Sequence, residues 1–256
     1  MTSLSDTYES LKSTISKTYH KVVPPKPDVD YMYPCDSYVS TLLNSFTIRK
    51  TLQTVAEKYY SDEVDSICAH SEQVTSSNYP FLYSIYTECA DCLKWHSLQP
   101  PLYVTNHLSG INALSVETHD NQLILISCQA IAQLSEEELR FVLGHELGHC
   151  QYGHMCCHTV LGLIEDMNKA SELFGPIATD AVEVPLVKWF HCSEFTADRA
   201  GLMCCGSKEV ARNIFIRLGL DKEISVYEKY QELSSPHPLL QTRWEQLQAY
   251  AKKINF

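Results

Sequence analysis

The chain has 256 residues and a formal net charge of −11, with 20 Lys and Arg against 31 Asp and Glu. That length allows one large domain or two small ones, each with a buried core. Hydrophobic residues make up 45% and charged residues 20%, which is typical of a globular protein and excludes a disordered or collagen-like chain. The acidic balance argues against nucleic acid as a main partner, because nucleic acid binds basic surfaces.

The apolar runs, the N-terminus and the cysteines indicate where the protein is located. No apolar run approaches the ~18–20 residues that span a bilayer, so we expect no integral membrane insertion. Residues 1–13 lack the apolar stretch behind basic residues that marks a secretory signal. The eleven cysteines are odd in number and show no framework spacing, which favours reduced thiols. Together these features predict a cytoplasmic protein.

The N-terminal part of the chain divides into two predicted segments. Residues 1–37 form an extended segment, because four prolines fall within residues 21–37 and exclude a regular helix there. We interpret this segment as a possible pro-segment or lid. Residues 38–256 form one domain, with a helical part over 38–100 and a core over 101–256. Apolar spacing within the helical part predicts helices from Tyr38 to about Tyr60 and from Pro80 to Leu98.

A small β-sheet is predicted next. Its strands are Leu102–Thr105, Ala113–Glu117 and Leu123–Ser127, and the last two form a hairpin. Ser135, with Glu138 three residues later, is a capping box that begins a helix ending near Tyr152. The rest of the chain has helical periodicity interrupted at glycine and proline positions. The predicted fold class is therefore α+β and mainly helical, with the small sheet preceding the central helix.

The central helix contains the motif HExxH, from His145 to His149. Residues four apart in a helix are offset by only about 40°, so both imidazoles lie on one face and can bind one metal ion. Imidazole suits zinc, and a zinc-activated water has a pKa near 7. Glu146, beside the first histidine, is then placed to act as general base on that water.

A third ligand is expected downstream of the motif. His154 lies one residue too early for the longer histidine motif, and we interpret it as a packed or helix-capping histidine. Glu194 and Asp198 lie four apart in a helix predicted to begin near Pro185. Glu194 can complete a His/His/Glu site that leaves a fourth position open to water. Asp198 can accept the free ring N–H of a ligand histidine, for which His145 is the first candidate.

Four motifs occur in a fixed order: Asn112-Ala113, residues 138–149, Glu194–Gly201 and Ser235–Arg243. In this order they resemble the HtpX and CAAX-prenyl-endopeptidase family of gluzincin metallopeptidases, over roughly residues 100–250. The resemblance implies a zincin-like fold, one zinc ion and hydrolysis of peptide bonds. It further implies substrate contact at Asn112 and Ala113, oxyanion stabilisation by His237, and Arg243 near that histidine. Membrane members of the family carry transmembrane helices that this chain lacks.

These observations predict a zinc-dependent endopeptidase acting on a peptide or protein substrate. The substrate would join the sheet edge as an extra strand, along either Ala113–Glu117 or Leu123–Ser127. One alternative is a zinc-bound but inactive or latent regulatory or binding protein on the same fold. Another is a redox or structural zinc protein that uses its cysteines, which include the CxxC of Cys89 and Cys92. Latency could come from Cys35, whose thiolate would occupy the open zinc position.

Overall fold

A computed structural model of the chain describes residues 30–36, 54, 61–62, 64–95, 98–118, 121–155, 179–225, 228 and 237–256. The helix predicted between Tyr38 and Tyr60 lies outside these residues, apart from Thr54.

The described residues form helices and a small sheet, which confirms the predicted mixture of the two. In chain order the elements are β1 (Glu72–Gln73), α1 (Pro80–Cys92), β2 (Leu102–Thr105), β3 (Ala113–Thr118), β4 (Asn121–Ser127), α2 (Cys128–Gln133), α3 (Glu136–Tyr152), α4 (Thr179–Cys205), α5 (Lys208–Leu218) and α6 (Leu240–Lys253). None of the helices within the described ranges is both long and apolar enough to cross a bilayer.

The sheet has the strand order β1-β2-β4-β3. Strand β2 runs parallel to β4, with Leu102 opposite Ile124, and β3 runs antiparallel to β4, with Ala113 opposite Ile126. Residues 124–126 therefore have a partner strand on both sides. The expectation that a substrate could pair along Leu123–Ser127 is wrong for this reason, because that strand lies inside the sheet. Among the described strands β3 is an outer one, and no described strand pairs with its other edge.

The core lies between the sheet and the helices. Ile124 and Ile126 of β4 are fully buried and belong to the main core, which also includes apolar residues of α1, α3, α4 and α5. Leu123 and Leu125 point to the opposite face and pack against Val64. Successive side chains of a strand alternate between faces, so β4 is apolar on both sides because both sides are covered.

Helix α3 begins and ends at the predicted positions. The Ser135 hydroxyl accepts a hydrogen bond from the Glu138 backbone N–H, and the Glu138 carboxylate accepts one from the Ser135 N–H. This capping box satisfies two backbone donors that a helix start otherwise leaves unpaired. The helix ends at Gly153, whose φ of +67° is the left-handed conformation that glycine adopts without strain.

Two other helices have different ends from those predicted. Helix α1 ends at Cys92 rather than Leu98, because Lys94 takes a φ of +52° and the Trp95 N–H donates to the carbonyl of Ala90. That arrangement closes the last turn and stops the helix. Helix α4 begins at Thr179, before the predicted start near Pro185. Strand β1, which is only two residues long, has no periodic signal that could have predicted it.

Helices α3 and α4 approach each other unusually closely, because glycines occupy the contact. A Cβ atom on Gly148 would lie 2.8 Å from the Cβ of Ala200, and one on Gly144 would lie 2.7 Å from the Cβ of Cys204. From the other helix, a Cβ on Gly201 would lie 2.7 Å from the Phe141 carbonyl oxygen. Distances below 3 Å are steric clashes, so side chains at these positions would hold the helices apart.

Residues 30–36 lie against the helical core. Tyr31 is fully buried and its hydroxyl donates to the side-chain carbonyl of Gln151. The Arg199 guanidinium stacks on the Tyr33 ring at 4.7 Å and on the Tyr250 ring at 4.5 Å. Arg199 also donates to the Met32 carbonyl at 3.0 Å. This part of the predicted N-terminal segment is therefore packed onto helices α3, α4 and α6.

Candidate metal centre

The close approach of α3 and α4 brings three predicted ligands together. His145 and His149 come from α3 and Glu194 from α4, and one ligand atom of each lies within 4.8 Å of the others. The two Nε2 atoms are 3.1 Å apart. Each Nε2 is 3.7 Å from a Glu194 carboxylate oxygen. In a tetrahedral site with Zn–N bonds of 2.0–2.1 Å, two ligand nitrogens lie about 3.3 Å apart, so this spacing suits zinc.

The hydrogen bonds of the two rings show that the site fits a cation. His145 Nδ1 lies 3.1 Å from the Asp198 carboxylate, which can only accept while ionised, so we assign the ring proton to Nδ1. His149 Nδ1 is engaged at 3.0 Å by Nδ1 of His154. With Nδ1 protonated on both rings, two Nε2 lone pairs face each other at 3.1 Å. Such lone pairs repel unless a positive charge lies between them.

Asp198 is held by Arg243 from α6. The guanidinium donates to both carboxylate oxygens, with Nε at 2.9 Å and Nη2 at 2.6 Å. Burial is the largest influence and opposes ionisation, but the Arg243 charge and the hydrogen bonds from His145 and Arg243 lower the pKa of Asp198 below its ordinary value. The carboxylate therefore stays ionised and able to orient the His145 ring.

Glu194 is ionised for similar reasons. Burial again opposes the charge, but Arg243, His237 and the two ligand histidines together hold the pKa of Glu194 well below its usual range. Arg243 Nη1 lies 2.8 Å from Glu194 Oε2. One guanidinium thus neutralises the carboxylates of both Glu194 and Asp198.

Glu146 lies on the same helix with its carboxyl group buried. Burial, which is the largest influence, together with the charge of Glu194 raises its pKa above the ordinary value, against the opposing effects of His145 and Ser115. Ser115, on β3, is close enough to the Glu146 carboxyl group to influence its pKa. A raised pKa makes Glu146 a stronger base than an exposed glutamate, and β3 fixes its position.

Of the remaining predicted site residues, His237 lies against this centre. His237 has a side chain that is 65% exposed, and its Nδ1 lies 3.6 Å from a Glu194 oxygen. Asn112 is exposed and Ala113 begins the outer strand β3. Cys35 is exposed and its thiol hydrogen-bonds the thiol of Cys192. The hypothesis that Cys35 occupies the open metal position stays a prediction.

Among the described cysteines, no thiol takes part in a comparable ligand group. Within the described ranges, His145, His149 and Glu194 are the one set of three His, Cys, Asp or Glu side chains whose ligand atoms all converge. Cys89 is buried and Cys92 is exposed, both on α1 as predicted. The alternative of a structural zinc site made from cysteines therefore has no support in the described part of the chain.

Three residues near the site are not predicted from the sequence to contact it. The position of Ser115 could have been predicted, because side chains alternate along a strand and Ser115 therefore lies on the same face of β3 as Ala113. His154 was interpreted as a packed histidine, and it is fully buried, but its contact with His149 was not foreseen. Asp36 reaches the site from more than a hundred residues upstream, and no spacing rule links it to the motif.

Two histidines of one helix and a glutamate of a second helix thus form a group that could hold a metal ion, with the buried Glu146 beside them. The family model described as Peptidase family M48 matches residues 77–251, and the chain belongs to that family. The predicted resemblance to the gluzincin metallopeptidases is thereby confirmed.

Two known proteins are similar to the chain. The plastoglobule-localized metallopeptidase 48, chloroplastic, of Arabidopsis thaliana is 26% identical over 138 residues. That match covers 54% of this chain and 39% of the length of the relative. The crystal structure of S. mikatae Ste24p matches with a TM-score of 0.45 and 16% identity, covering 96% of this chain and 76% of that one. The second likeness is too distant to support a structural argument.

Proposed function

We propose that the protein is a zinc-dependent endopeptidase in which His145, His149 and Glu194 hold the metal. The observation that carries the proposal is the convergence of two Nε2 atoms and an ionised glutamate beside the buried carboxyl group of Glu146. Zinc held by these residues would supply a Lewis acid for the peptide carbonyl and lower the pKa of a water to about 7.

Glu146 is the general base of this proposal. Its carboxylate takes a proton from the attacking water and later delivers it to the amine that leaves. The raised pKa of Glu146 supports both steps, because a base must hold the proton before it can return it. Ser115 places Glu146 beside β3, which is where an extended substrate would lie.

His237 is the proposed oxyanion stabiliser. Its ring is exposed and lies beside Glu194, so a substrate carbonyl oxygen bound next to the metal can reach it. One well-placed donor of this kind is worth about 2.7–4 kcal/mol in a transition state. Arg243 contributes indirectly, because it keeps Glu194 and Asp198 ionised.

The substrate is proposed to be a polypeptide bound as an added strand. The open edge of β3 can hydrogen-bond an extended backbone, with Asn112 and Ala113 at the strand's start. Main-chain pairing selects extended peptide and leaves side-chain preference to the surrounding pockets. We further propose the cytoplasm as the site of action; the plastoglobule location belongs to the Arabidopsis relative.

The test compares the wild-type protein with Glu146→Gln, using unfolded casein as substrate. We expect wild-type cleavage to stop when a chelator removes the metal and to return with zinc. Glu146→Gln should retain one zinc per chain while kcat falls by about 10²–10⁴-fold, since a general base contributes that much. Cleavage that survives the chelator, or full turnover by Glu146→Gln, would contradict the proposal. Zinc binding without any cleavage would favour the inactive or latent alternative.

A further inference from the structure

A line of buried polar groups extends from the metal site to the N-terminal segment. His149 Nδ1 lies 3.0 Å from His154 Nδ1, and His154 Nε2 lies 3.0 Å from Asp36 Oδ2. His154 and Asp36 are both 0% exposed, so water does not compete for these bonds. The line joins residues that are 118 positions apart in the chain.

The other partners of Asp36 fix it as an acceptor. The indole N–H of Trp189, which can only donate, reaches Oδ1 at 3.1 Å. The Thr196 hydroxyl reaches Oδ2 at 2.6 Å. A buried carboxylate is costly unless such donors surround it, and here both oxygens have one. Asp36 therefore accepts a hydrogen bond from the Nε2–H of His154 as well.

Proton positions follow from that acceptor. A neutral His154 that carries its proton on Nε2 has a bare Nδ1, which can only accept. His149 must then donate from its own Nδ1, and its Nε2 lone pair is left facing Glu194 and His145. This is the ring form that ligates a metal through Nε2.

The two histidine ligands are thus oriented by carboxylates in different ways. Asp198 contacts the His145 ring directly, whereas Asp36 acts on His149 through the intervening ring of His154. We infer that Asp36 and His154 are positioning residues for His149, and that the segment around Asp36 is part of the metal centre. This inference rests on the proposed function, because it takes His149 as a metal ligand.

The segment is anchored well enough to hold Asp36 in place. The Tyr33 backbone N–H donates to the Thr196 hydroxyl at 3.0 Å, and the Tyr33 ring packs on Phe195 with centroids 5.0 Å apart. These contacts tie it to helix α4 next to Glu194. Asp36 lies outside residues 77–251, the part that matches the family model, so its role is a feature of this chain beyond the matched region.

The test measures zinc affinity in the full chain with Asp36→Asn. The new amide must keep its oxygen toward the Trp189 N–H, which places its NH₂ against His154 Nε2. His154 then carries its proton on Nδ1, and His149 is driven to protonate Nε2, the atom that should bind metal. We expect the zinc dissociation constant, measured by competition with a chromophoric chelator, to rise by about 10- to 100-fold.

Two further variants show whether the effect comes from the hydrogen bonds that join His149, His154 and Asp36, called the relay below, or from a change in folding. Tyr33→Phe removes a bond from the same segment to Gln246 but leaves Asp36 and His154 alone, so its zinc affinity should match the wild type. His154→Gln breaks the relay at its centre and should weaken zinc binding like Asp36→Asn. The absorption bands of bound Co²⁺ should change in both relay variants and not in Tyr33→Phe. For casein cleavage at saturating zinc, kcat should fall while KM stays constant.

A measurement on the wild type alone decides the matter if the variants do not fold. Long-range ¹H–¹⁵N spectra of the zinc-loaded protein should show His149 protonated on Nδ1 and His154 protonated on Nε2. His154 protonated on Nδ1, or zinc affinity in folded Asp36→Asn within about threefold of the wild type, would overturn the inference. A wild type that binds zinc but cleaves nothing would overturn the proposed function and leave this inference to be judged on affinity.

Discussion

At the scale of single residues, Arg243 shows why the site needs a guanidinium. It contacts Glu194 through Nη1 and Asp198 through Nε and Nη2. A lysine has one charged nitrogen and could not bond both carboxylates with fixed geometry. Because two buried carboxylates would otherwise repel each other, this side chain allows both to remain ionised side by side.

Cys92 gives a residue-scale prediction that is independent of the metal. Its thiol is exposed, and a hydrogen bond from the Cys204 thiol, the main cause, lowers the pKa of Cys92 to about 7. A lowered pKa means that the reactive thiolate accumulates at lower pH, so alkylation should reach half its maximal rate near pH 7 and increase above it. Peptide mass spectrometry after iodoacetamide treatment over about pH 6–9 measures this profile.

The matched control for Cys92 is Cys204→Ala, which keeps the Cβ and removes the donor. The half-maximal pH for Cys92 should then move upward, toward the ordinary thiol value. Cys68 is an internal reference, because burial raises its pKa and it should react only at higher pH. A Cys92 profile that is the same with and without the Cys204 thiol would show that the hydrogen bond has no such effect.

The residues of the site differ in how far the sequence could predict them. Glu194 and Asp198 could be predicted from the sequence, because a four-residue spacing places both on one helix face. Asp36 was not, since its partners His154, Trp189 and Thr196 meet it only in the folded chain. A local pattern carries no information about a contact of that kind.

At the scale of elements, the contact of α3 with α4 determines whether the ligands meet. Gly148→Ala would place a methyl group 2.8 Å from the Cβ of Ala200. Overpacking of this kind costs about 1–3 kcal/mol, and better helix propensity returns at most about 1 kcal/mol. We therefore expect Gly148→Ala to lower the free energy of unfolding in urea and to weaken zinc binding, as the helices separate.

The partner substitution Ala200→Gly tests the steric cause of that loss. In the double variant the methyl group has room, so part of the lost stability should return despite the extra glycine. The double-mutant cycle measures this coupling directly. A Gly148→Ala protein at least as stable as the wild type would show that the two helices can accommodate the added methyl group without a steric clash.

Element boundaries were predictable where a local chemical signal marks them. The capping box of Ser135 and Glu138 marks the start of α3, and the glycine after it marks the end. Helix α1 carries no such signal at its end, because Lys94 is not a residue that favours the left-handed region. The order of the sheet was likewise hidden, since a parallel pairing of β2 with β4 joins strands that are not neighbours in sequence.

At the scale of the whole molecule, the metal site joins two helices that are separate in sequence. An ion that binds only the folded chain stabilises it by about 2.7 kcal/mol at a free concentration 100 times its dissociation constant. For a chain of this size that corresponds to a rise in Tm of roughly 5–10 °C. We expect zinc to produce this shift in thermal unfolding, and a chelator to remove it.

Two variants control for non-specific effects of zinc on stability. Glu194→Gln removes the ligand charge and should lose most of the shift. Glu88→Gln changes an exposed carboxylate, which pairs with Arg140 away from the ligand group, and should keep the full shift. Equal melting temperatures with and without zinc in the wild type would mean that the three side chains do not form a binding site.

The packing of residues 30–36 has a practical consequence for anyone preparing a shortened form of the protein. A protein trimmed to the boundaries that homology suggests, beginning at residue 77, would retain every group of the HExxH helix. It would nevertheless leave the Trp189 indole without its acceptor and the Thr196 hydroxyl without its closest acceptor. The His154 ring would lose the carboxylate that it contacts. Loss of metal from such a fragment would reflect where the chain was cut rather than any weakness of the catalytic core.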